Sequence, residues 1–181
     1  MNLLRFASVV AAWLLPTVST LAQGTAPASG MTDLKPLIGK FDDGCFDSPE
    51  YRAFRKSLVP GFPIDVNRRI QIVAPAPIAK ILGVPTVTNK GEFTEFVIPV
   101  SGGHLNGVRV SSLFLAIGNA NGVNVEAIAF DAPEAEVASA FKSELAEARR
   151  WARQHAKDGA PPSFGIRLRN NKPLLVCDAS N

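Results

Sequence analysis

Residues 108–117 (VRVSSLFLAI) and 123–130 (VNVEAIAF) are rich in strand formers, and they flank 118–122 (GNANG), whose residues tolerate positive φ. An antiparallel pair spanning 108–130 is therefore the element that most restricts the fold. In its first strand Val108, Val110, Ser112, Phe114 and Ala116 alternate with Arg109, Ser111, Leu113, Leu115 and Ile117. From Leu113 onward both faces are apolar, which predicts cover on both sides of that end. A second hairpin is expected over 164–177, turning at Asn170-Asn171. Segment 69–73 (RIQIV) alternates like a strand, and a short helical stretch is expected over 78–82. Segment 92–100 reads as a further strand ending at an edge or bulge because of Pro99, after which 101–104 (SGGH) should turn the chain.

Two helices are expected. Asp47 or Ser48 can cap a short helix over 48–58, with Pro49 in its first turn and Tyr51, Phe54 and Leu58 on one face. Pro60-Gly61 stops it. Asp131-Ala132-Pro133-Glu134 starts a long helix over 133–157, with Asp131 as N-cap and Glu134 at the third helical position. Val137, Phe141, Leu145, Ala148 and Ala152 form its apolar stripe. The predicted fold class is α+β: a single domain with a mostly antiparallel sheet, packed by this long helix and the short N-terminal one.

The first residues address a different question. A basic start to Arg5, an apolar stretch over 6–15, Pro16, and small or tolerated residues at Thr20 and Ala22 match a signal peptide over 1–22. Residues 23–33 (QGTAPASGMTD) follow as a flexible leader, and 34–181 form the domain. The expected compartment is periplasmic or extracellular, with no transmembrane segment in the mature chain. Two cysteines in an oxidising compartment predict a disulfide between Cys45 and Cys177, closing most of the domain into one loop.

Few sequence features carry chemistry. The chain has 181 residues, 19 basic against 16 acidic, with signs interspersed; that balance and the absence of interleaved aromatics speak against a nucleic-acid protein. Phosphate-binding glycine loops are missing, and two His with two paired Cys leave no metal-ligand set and no implied cofactor. Asp42, Asp43, Asp47 and Glu50 crowd four carboxylates together, but without the spacing of a calcium loop. Ser139-Ala140-Phe141-Lys142 matches a Ser-x-x-Lys pattern without its Lys-Thr-Gly partner. His104, after two glycines and near Ser101, is the best candidate for acid–base chemistry, although no nucleophile elbow accompanies it. Arg149, Arg150 and Arg153 gather where they complement a helix dipole or could meet a partner.

The functional expectation is an exported, non-catalytic module that binds a protein partner or a small ligand, such as an inhibitor, immunity or envelope accessory protein. The alternative is a small hydrolase using His104 with Ser101 or the nearby carboxylates.

Overall fold

The computed structural model describes residues 30–39, 41, 45–155 and 162–180. The expected signal peptide, leader residues 23–29, Asp42, Asp43 and the expected helix end at 156–157 lie outside them. The described residues form a mixed α/β fold with a dominant seven-stranded sheet and five helices. No helix among them is long and apolar enough to cross a membrane.

The chain enters as β1 (Thr32–Asp33), then α1 (Lys35–Ile38) and α2 (Pro49–Leu58). Thr32 and Asp33 pair in parallel with Gly103 and His104, so the last two leader residues are strand. Buried Leu34 behind them anchors this pairing, and its N–H donates to the His104 carbonyl at 2.8 Å. Ser48 caps α2 as expected: its Oγ accepts from Tyr51 N–H at 2.8 Å while its hydroxyl donates to the Leu37 carbonyl at 2.6 Å. One side chain thus starts α2 and ties it to α1. Gly39 permits that approach, because with φ +78° a Cβ there would lie 2.7 Å from the Ser48 Cβ. Tyr51, Phe54 and Leu58 are all buried on the inner face of α2.

Segment 69–73 is not a strand. Its alternation is real, since Ile70, Ile72 and Ala74 pack on the core, but no ladder partner is available to it. The chain here is tied to the end of α2: Arg68 donates to the Ser57 carbonyl at 2.8 Å and Val73 N–H to Ser57 Oγ at 3.1 Å. The edge of the sheet is taken by other pieces, namely β2 (Thr86–Asn89), Leu82 and β1, which pair in turn with β3 (Phe93–Leu105). A short helix, α3 (Ala76–Ala79), precedes Leu82.

Residues 101–104 do not turn the chain either. β3 continues through them with a register shift between Pro99 and Gly103, and the turn falls at Asn106-Gly107, both with positive φ. The bulge absorbs Pro99, which cannot donate to the ladder, without ending the strand. The hairpin of β4 (Val108–Gly118) and β5 (Asn124–Phe130) forms as expected, and so does that of β6 (Ser163–Arg169) and β7 (Lys172–Asp178). Asn170 and Asn171 both have positive φ, as a two-residue hairpin turn requires. The expected face assignment in β4 fails at a second register shift, between Val110 and Ser112. Val108 and Val110 face the core before it; Leu113, Leu115 and Ile117 face the core after it.

The long helix is two helices, α4 (Glu134–Ala140) and α5 (Lys142–His155), separated by Phe141 at φ −111°, ψ 18°. Phe141 is fully buried against Phe41 and Phe130, with ring centroids 6.1 and 5.3 Å away. Its inward pull bends the path, while hydrogen bonds from Phe141 to Val137 and from Leu145 to Phe141 carry the ladder across. Asn106, from the β3–β4 turn, bridges the bend by donating to the Ala140 carbonyl at 3.3 Å and to Glu144 at 2.8 Å. Asp131 does not cap α4, whose N-cap is Pro133 without a side-chain bond. Asp131 instead meets Lys172 at 3.5 Å.

The strand order β1-β3-β4-β5-β7-β6, with β2 beside β3, leaves two faces. Every helix contributes buried residues to one of them, around Phe54, Phe96, Phe130 and Phe141. The predicted disulfide, Cys45–Cys177, staples the segment before α2 to β7, with Cα atoms 5.2 Å apart across a separation of 132 residues. Within this face Glu126 is a buried carboxylate, 3.1 Å from Arg55 Nε, and Arg55 Nη2 also donates to Asn124 at 2.8 Å. The Tyr51 hydroxyl donates to Glu126 too. Burial first, then the charge and hydrogen bond of Glu126, push the Tyr51 pKa well above its ordinary value.

Candidate functional site

The catalytic candidates from the sequence are not assembled. Ser101 is exposed within the β3 bulge, and its N–H donates to the Ile81 carbonyl at 2.8 Å. His104 is half-buried in extended backbone opposite Arg109, and its Nδ1 is buried without a hydrogen-bond partner. No bond links it to Ser101 through that nitrogen. Gly103 between them is pressed into the fold, since a Cβ there would meet Val100 at 2.6 Å and Ile81 at 3.0 Å.

The remaining candidates have local roles. Asp47 pairs with Arg52 at 2.6 Å, and Glu50 is exposed in the first turn of α2. Among the described residues, no three His, Cys, Asp or Glu side chains gather to hold a metal ion. Ser139 and Lys142 are exposed on either side of the helix break. Arg149, Arg150 and Arg153 are exposed along α5, where Arg150 lies 3.6 Å from Glu147. His155 stacks on Trp151 at 4.4 Å and its Nδ1 lies 2.9 Å from the Trp151 carbonyl.

The arrangement that sequence reasoning missed lies on the other face of the sheet. There Phe114 and Val125 pack with Ala127, Ala129, Leu174 and Val176, and no helical residue among those described joins them. The alanines keep the floor low, and Phe114 rises beside it. Arg169, the last residue of β6, lies over the Phe114 ring with its guanidinium carbon 4.8 Å from the centroid. Its Nη2 also donates to both oxygens of Glu95 on β3, at 3.2 and 3.1 Å. In the strand order β3 and β6 are four spacings of about 4.8 Å apart, too far for these two side chains to span across a flat sheet. The sheet therefore curls, and the ion pair bridges the curl.

A groove of about 490 Å³ runs inside it. Val97, Pro99, Phe114, Ala129 and Leu174 supply its apolar wall; Ser111, Ser112, Arg169, Asn170 and Lys172 supply its polar groups. Ser111 donates to the Ala129 carbonyl at 3.2 Å. The register shift at 110–112 is what brings both serines to the groove, and the shift has no signature in the sequence. The one legible signal was Val125, Ala127 and Ala129 at alternate positions of the second hairpin strand, a face too small in volume to be core. A second hollow, of about 640 Å³, lies between 69–72 and 82–85. Neither Ser101 nor His104 lines either one. Comparison with family models, curated proteins and solved structures finds no match to this chain, so the reading of this groove rests on its own geometry.

Proposed function

We propose that the chain is an exported, non-catalytic binding domain acting in the periplasm or outside the cell, and that the helix-free face of its sheet is the binding surface. The observation that carries this reading is the groove: an apolar floor with a guanidinium held in place at its edge. A pre-formed apolar hollow with a few placed polar groups is the usual form of a binding site. Export is supported by the pattern of residues 1–22 and by a disulfide whose Cys177 is buried, which suits an oxidising compartment. The separation of His104 from any partnered nucleophile favours binding over catalysis.

The test is capture of a binder from envelope extract by the oxidised protein, alongside Arg169→Glu and His104→Ala variants. Binding lost in Arg169→Glu and kept in His104→Ala supports the proposal. A ligand that the wild type converts to product and His104→Ala does not would overturn it in favour of hydrolase chemistry.

A further inference from the structure

We infer that the groove on the helix-free face binds a small carboxylate carried on an aliphatic or aryl body, an inference that rests on the binding reading above. Two cations, Arg169 and Lys172, stand in the groove lining and no acidic residue does. Their carboxylate partners, Glu95 and Asp131, lie outside the lining. Glu95 is nearly covered, at 12% exposure, and grips Arg169 from one side through Nη2, while the Phe114 ring supports the guanidinium plane. The long side chain is therefore already ordered, and a ligand meeting it loses little further rotamer freedom. Among the described residues Nη1 and Nε engage no partner, leaving donors on a planar fork whose geometry matches a carboxylate. Lys172 is half-exposed and, among the described residues, held by Asp131 alone at 3.5 Å, so its charge can turn to a ligand.

The rest of the groove selects the body. Its floor is side chain rather than main chain, because β4, β5 and β7, which carry Phe114, Ala129 and Leu174, are each ladder-paired on both sides. A peptide laid across it would desolvate its amides against Val97, Phe114 and Leu174 without replacing their hydrogen bonds. A hydrocarbon or ring suffers no such cost and gains the apolar area. A bare phosphate would use the fork and leave the floor wet. The groove volume lies in the range for ligands of this size.

Octanoate is the probe, with 1-octanol and inorganic phosphate as comparisons, titrated into the oxidised protein while backbone amide shifts are followed. The proposal expects saturable shifts at Phe114, Ala129, Arg169 and Lys172 with octanoate, about tenfold weaker binding of octanol, and no response at these residues to phosphate. Arg169→Gln should weaken octanoate about tenfold and Lys172→Gln about threefold. Ala129→Leu, which fills the floor and leaves both charges in place, should abolish it even if Arg169→Gln proves poorly folded. Equal binding of octanol and octanoate, or octanoate binding unchanged in Arg169→Gln, would overturn the proposal. A binder captured from extract through Arg169 while octanoate leaves the groove silent overturns the carboxylate class alone; failure of both removes the binding reading as well.

Discussion

The two faces of one sheet are built on opposite principles. The inner face is aromatic and covered: Phe41, Phe46, Tyr51, Phe54, Phe130 and Phe141 make a chain of ring contacts, and helices and a disulfide close over it. The outer face is made of alanines and short aliphatics around a single Phe114, crossed by one guanidinium. Its cations, Arg169 and Lys172, stand half-exposed at an edge, whereas the polar groups of the inner face, Glu126 with Arg55 and Tyr51, are turned on one another. The contrast separates a side that holds the fold together from the side proposed above to bind. Losses of stability should therefore concentrate on the inner face.

The largest loss should follow removal of the disulfide. By chain entropy, a closed loop spanning 132 residues stabilises by about 5 kcal/mol, so Cys45→Ser with Cys177→Ser should lower the denaturant midpoint steeply under oxidising conditions. Unchanged stability would show that α1, α2 and β7 hold the inner face without it.

The next effect sets one aromatic of each face against the other. Phe141→Ala should cost about 4 kcal/mol, because it empties a fully buried site that the helix bend encloses. Phe114→Ala, on the partly exposed outer face, should cost about 1 kcal/mol. Equal costs would erase the proposed division of labour between the faces.

The smallest effect is absent at neutral pH. Tyr51 is the only tyrosine of the chain, so tyrosinate absorbance reports on it alone. Its pKa is raised in the folded state by burial and then by Glu126, so the stability it contributes is fully present below the ordinary tyrosine pKa. Above that value the unfolded chain releases its phenolic proton while the folded chain keeps it, and stability declines toward the folded pKa. Ionisation should therefore coincide with alkaline unfolding, and Tyr51→Phe should remove this slope. A tyrosinate signal rising while the fold stays intact would mean that solvent reaches the inner face at Glu126.

Much of the inner face was legible in local patterns. The Ser48 cap and the spacing of Tyr51, Phe54 and Leu58 set α2, and Asn170-Asn171 set the last hairpin, because each depends on residues a few positions apart. The disulfide was legible because only two cysteines were available to pair. Other readings failed where a distant partner decided. Segment 69–73 has strand periodicity but finds its sheet edge already paired. Val137 to Ala152 has unbroken helical periodicity, yet Phe141 is drawn into a pocket made by residues from elsewhere in the chain. His104 looked chemical from its Gly-Gly neighbours, which proved to be bulge and packing glycines.

What the sequence alone determined is the set of elements closed by short-range rules: caps, two-residue turns, an alternating hairpin and a cysteine pairing without competitors. What only the tertiary structure decided is the groove. Two register shifts changed which side chains share a face, and the curl of the sheet brought Glu95 and Arg169, 74 residues apart, into one ion pair over Phe114. A bulge costs little locally and is fixed by the packing of whole strands, so no window of sequence contains it.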